Sequence, residues 1–148
     1  ISAEIFPYYK LLIVAEGMLE VYEDSGRTTK LQMGESIVTP ADVPVGMRTK
    51  TGAVYTEIEN RRKDIMNQAI KAGEVFKLAE LVPYREGEIV NMDVVHNDKI
   101  KFVVMAFDEG TGLSEHAAPG EALIFALDGE GVIGYEGQDH PIKADFTA

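Results

Sequence analysis

Hydrophobic and polar residues alternate with a period of two over most of this chain, in short runs separated by turn residues at intervals of about 8–12 residues. Residues 8–15 (YYKLLIVA, after Pro7) form an apolar strand that ends at Glu16-Gly17. Residues 18–23 alternate cleanly, with Met18, Glu20 and Tyr22 on one face and Leu19, Val21 and Glu23 on the other. Asp24-Ser25-Gly26 reads as a hairpin turn, 30–33 and 36–39 as short strands joined by Gly34-Glu35, and 40–44 as a loop held extended by two prolines. Residues 46–50 and 53–59 complete a meander.

The period then changes. Residues 60–71 (NRRKDIMNQAIK) are charged, and Ile65, Met66, Ala69 and Ile70 fall at helical spacing, so the stretch is expected to be a linker or a short helix. Residues 75–81 (VFKLAEL) are expected to form a short helix on the helix-forming character of Leu78-Ala79-Glu80-Leu81. Strand patterning resumes at 89–95, turns at Asn97-Asp98 and continues through 99–107 (KIKFVVMAF), which is apolar on both faces and is expected to be covered on both. Residues 110–136 follow (GTGLSEHAAPGEALIFALDGEGVIGYE). They read as strand, tight turn, apolar strand, Asp128-Gly129 turn and strand, and a further strand starts near His140. Little helix is expected anywhere; the predicted class is all-β.

That 110–136 stretch resembles the first motif of the cupin superfamily, G-x5-H-x-H-x(3,4)-E-x6-G. Gly110 stands six residues before His116, and Gly129 closes the pattern. Ala118 stands where the family has its second His and Ala122 where it has Glu, with Glu121 one residue early. A shift of one residue on a strand moves a side chain to the opposite face. Gly34 and Pro40 similarly resemble the second motif, but Val45 occupies the histidine position after Pro44. A weak internal repeat sets Ala15-Glu16-Gly17 against Leu127-Asp128-Gly129. The resemblance implies a double-stranded β-helix, or jelly-roll barrel, arranged as a bicupin with degenerate metal motifs. Two incomplete tandem units are expected: 1–62, and 63–148 with the first motif.

Composition narrows the partners. The formal net charge is −11, which disfavours nucleic acid and anionic membranes because both are bound by clustered Lys and Arg. There is no cysteine, which removes disulfides, thiolate nucleophiles and zinc–thiolate sites. No run approaches the roughly 20 apolar residues of a membrane span. The first residues carry Glu4 and no basic segment, so a cytoplasmic location is expected.

Neither a G-x-S-x-G elbow nor a phosphate loop is present; Gly129-Glu130-Gly131 precedes no helix. Of the three histidines, His96 and His140 are expected at hairpin ends, leaving His116. The resemblance implies that His116 points into the second barrel, with Ala118, Ala122 and Ile124 lining a small-molecule site. The cofactor it implies is a divalent transition metal on His116 and Glu121, although a catalytic metal wants about three protein ligands and these residues supply two. Three functions stay open: a cupin-type small-molecule-binding or sensor module, a metal-dependent isomerase or dioxygenase, and a structural module assembling as an oligomer, with a homodimer the expected state.

Overall fold

A computed structural model describes residues 3–60, 67, 69–117 and 120–144. Its organising element is one long strand, β1 (Tyr9–Glu23), with different antiparallel partners along its two halves. The first half lies between β3 (Ser36–Thr39) and β5 (Ala53–Asn60), the second between β2 (Thr28–Gln32) and β4 (Val45–Arg48). The sequence predicts two strands broken at Glu16-Gly17. The chain bends there without breaking. The pairing of β1 with β5 shifts between Val14 and Glu16, a bulge that leaves Ala15 as the extra residue. Gly17 follows at φ +79°.

That bulge changes which residues face inward. Leu12 and Val14 before it, and Leu19 and Val21 after it, enter the same buried cluster with Leu31 and Ile37. An unbroken period of two would have sent the second pair to the opposite face. Val45 and Met47 of β4 and Ala53 and Tyr55 of β5 pack against this cluster. The interior of the first half is therefore filled by aliphatic side chains, and Val45 takes its place among them.

Leu11, Ile13 and Val38 point the other way, into a second cluster. It is completed by the hairpin of β6 (Ile89–His96) and β7 (Lys101–Phe107), through Val94, Val95, Val104 and Ala106, together with Ile70, Leu78 and Val82. A bulge between Asp93 and Val95 lets adjacent Val94 and Val95 both be buried. Asn97 turns the hairpin by accepting hydrogen bonds at Oδ1 from the amides of Lys99 and Ile100, at 2.8 and 2.9 Å. This second core takes residues from both sides of the expected 62/63 division. The strand expected at 99–107 forms from Lys101, with Lys99 and Ile100 in the turn, and its cover is one-sided: Val104 and Ala106 are buried, while Met105 and Phe107 are exposed.

Of the predicted linker or helix at 60–71, residues 61–66 and 68 lie outside the described residues. Asn67 donates through Nδ2 to the Asp93 carbonyl at 2.7 Å and Ile70 is buried, so the end of that stretch is tied to β6 and the core. The helix expected at 75–81 is a single 3-10 turn, Leu78–Leu81, with extended backbone on both sides. Phe76 pairs instead with Ser36 of β3, amide to carbonyl in both directions. Edge pairing to β3 outcompetes a helix too short to stabilise itself.

The last hairpin, β8 (Glu130–Tyr135) with β9 (Gln138–Lys143), turns on Glu136-Gly137, both at positive φ, the signature of a type I′ turn. Between β7 and β8, no strand forms at 111–117 or 121–127, where strands were predicted. The β-forming residues are there, but no neighbour among the described residues supplies the ladder. Among the described residues the structure is thus all-β apart from one 3-10 turn, and the described strands do not close into a barrel. No described helix is long and apolar enough to cross a membrane.

Candidate functional site

Two regions carry candidate chemistry, and one segment of chain, 110–128, connects them. The first holds the residues singled out by sequence. His116 is exposed, with Nδ1 3.2 Å from the Ser114 carbonyl oxygen, a contact the Nδ1–H tautomer makes as donor. Glu121 and Ala122 are exposed, and Ile124 keeps 55% of its surface accessible. Ala118 lies outside the described residues. The neighbouring Leu123 and Phe125 are also exposed, so this stretch presents apolar side chains beside a histidine rather than enclosing them. Among the described residues no three His, Asp or Glu side chains converge as a metal-ligand group. His116 and Glu121 do not amount to the three ligands a catalytic metal needs, and the metal implied by the resemblance is not matched by the donors present.

His96 closes β6 as expected, its Nδ1 3.5 Å from Asp93 Oδ2. His140 sits inside β9 opposite Ile133, because the hairpin turns two residues earlier than expected.

The second region is a cleft of about 190 Å³. Its walls come from four places in the sequence: Ile13 of β1, Met33 and Gly34 in the turn before β3, Lys77 to Ala79 at the 3-10 turn, and Leu127 with Asp128. Each wall has a local cause. Gly34 takes φ +86°, which turns the chain from β2 into β3. The Phe76–Ser36 pairing seats the 3-10 turn against that bend, burying Leu78 beneath it.

Tyr84 fixes the far wall by donating its hydroxyl hydrogen to Asp128 Oδ2 at 2.7 Å. The hydrogen bond to the Asp128 carboxylate, with a smaller contribution from desolvation, raises the Tyr84 phenol above its ordinary value and keeps it a donor. Chemically the lining combines aliphatic side chains with the ammonium of Lys77 and the braced carboxylate of Asp128. Asp128 is legible in sequence only as a turn residue. Lys77 and Tyr84 carry no motif at all, and Tyr84 meets Asp128, 44 residues later, only through the fold.

Comparison with solved structures finds the Cupin 2 conserved barrel domain protein from Leptotrichia buccalis, with a TM-score of 0.78 and 25% sequence identity. The likeness covers 98% of this chain and 64% of that one, so this chain spans just under two thirds of its length. It supports a cupin-superfamily fold, as the Gly110–His116 spacing implies. No protein-family model matches the sequence, and no curated protein matches it.

Proposed function

We propose that this chain is a small-molecule-binding module of cupin type, with its ligand seated against the segment that runs from His116 to Asp128. The observation that carries this reading is the cleft itself, lined by aliphatic side chains with Lys77 and Asp128, and walled in part by the end of that segment. His116, Ala118, Ala122 and Ile124 are the contacts proposed upstream of it, and Glu121, five residues after His116, adds at most a second ligand for a partial metal site. The metal-dependent enzyme reading gains no support from the donor set. The tandem reading, 1–62 and 63–148, rests on the internal repeat, and the two halves share a core. A homodimer formed through the exposed Leu123–Ile124–Phe125 run and a cytoplasmic location complete the proposal.

Thermal-shift titration with sugars, short hydroxy acids and Ni²⁺ tests it. A ligand that stabilises the wild-type chain is expected to lose its effect in His116→Ala, whose own stability stays within about 1 kcal/mol because the side chain is exposed. Undiminished binding by that variant removes His116 from the site. No response to any organic compound, together with tight stoichiometric metal uptake, overturns the module in favour of the metal enzyme.

A further inference from the structure

Next to the cleft, though not among the residues that line it, is an unusual atom. Ser36 is wholly buried in β3, and its Oγ has no hydrogen-bond partner among the described residues. Such a hydroxyl is costly unless something meets it. Its direction follows from the register. Ser36 is the antiparallel partner of Ile13, and directly opposed residues share a sheet face. Ile13 lines the cleft, so Ser36 lies on the cleft side of the sheet. The alternation along β3 agrees, since Ile37 enters one core while Val38, two residues from Ser36, enters the other with Ile13.

Lys77, at the rim, is exposed, and its ammonium makes no ion pair or hydrogen bond among the described residues. Asp128, which also lines the cleft, is braced by Tyr84 through one oxygen and keeps capacity to accept further hydrogen bonds. Ile13, Met33, Leu78 and Leu127 supply the apolar surface between them.

We infer that this cleft binds a short hydroxycarboxylate, its carboxylate on Lys77 and a hydroxyl donating to Asp128. This rests on the binding-module reading and adds Lys77 and Asp128 to the contacts proposed there. One lysine matches one negative charge; a phosphate dianion would meet Asp128 with no second cation to offset it, in a chain of net charge −11. The volume of about 190 Å³ is below the roughly 300–1,000 Å³ of drug-sized sites, which limits the ligand to a few carbons.

The test is titration of the whole chain with lactate, glycerate and gluconate, each against its neutral amide, followed by amide NMR shifts. At least one acid is expected to shift residues 33–34, 77–79 and 127–128, and to bind about tenfold or more tighter than its amide, the scale of one charge-assisted hydrogen bond. Lys77→Ala should abolish that difference, whereas Lys77→Arg should retain most of it. Ser36→Ala should leave the unfolding midpoint no lower, because it removes an unsatisfied buried hydroxyl. Acid and amide binding equally, with Lys77→Ala silent, overturns the carboxylate inference and leaves the binding module standing. Absence of shifts with every acid also overturns it, whatever the sugar titrations of the module reading give.

Discussion

Gly17 is the residue on which the first half turns. Its φ of +79° belongs to the left-handed region, and a Cβ there would collide with the Gly52 carbonyl oxygen. Gly17→Ala therefore combines backbone strain with a clash against main chain that cannot rotate away, and is expected to cost at least about 2 kcal/mol in urea unfolding. A second residue-scale device sits on the outer face of β1. Glu20 is buried, and accepts a 2.7 Å hydrogen bond from Arg48 Nε, while the Arg48 guanidinium lies 4.8 Å from the centre of the Tyr22 ring. The Arg48 hydrogen bond holds the Glu20 carboxyl below the usual carboxylate range, against an opposing desolvation effect. A depressed folded-state value means that the contribution is complete above the unfolded carboxylate range and is lost as pH falls through the lower folded value. Wild type should thus lose more stability on acidification than Glu20→Gln. Parallel pH profiles for the two proteins would remove Glu20 from that role.

At the scale of elements, turns are where the sequence speaks most clearly. Asp24-Ser25-Gly26, Gly34-Glu35 and Asn97-Asp98 all turn the chain where their chemistry predicts, because a glycine at positive φ or an asparagine capping its own backbone acts locally. Partnership is not local. The residues of 121–127 have strand composition yet no ladder, and the helix formers at 78–81 yield to the pairing of Phe76 with Ser36. The candidate site divides the same way. His116 is visible through its spacing from Gly110, whereas the cleft needs a bend, a bridge and the Tyr84–Asp128 hydrogen bond that no spacing encodes. The β8–β9 hairpin offers a clean test of turn chemistry, since Glu136 holds φ +49° without being glycine or asparagine. Glu136→Asn creates the favoured Asn-Gly pair and should stabilise the ribbon by about 0.5–1 kcal/mol. Slower amide exchange confined to β8 and β9 is the expected readout, and unchanged exchange there would show that the turn is not what limits the ribbon.

For the whole molecule, the decisive feature is that the first sheet has a core on each face. Leu12 and Val14 bury against β2, β4 and β5, while Leu11 and Ile13, their immediate neighbours in β1, bury against the β6–β7 hairpin. One strand thus couples the two cores through a backbone that cannot open on one side alone. Independent tandem units would unfold in two steps, each sensitive only to its own mutations. The shared strand predicts one transition instead. Leu11→Ala in β1 and Val95→Ala in β6 lie on opposite sides of the 62/63 division but in the same cluster. Leu11→Ala should cost about 2–5 kcal/mol, and Val95→Ala somewhat less for its smaller side chain. Both should move the unfolding midpoint reported by probes at Tyr55 in the first core and Phe102 beside the second by the same amount. If Val95→Ala shifts only the Phe102 signal, the halves fold separately and the core between them is a docking interface rather than part of a single cooperative fold.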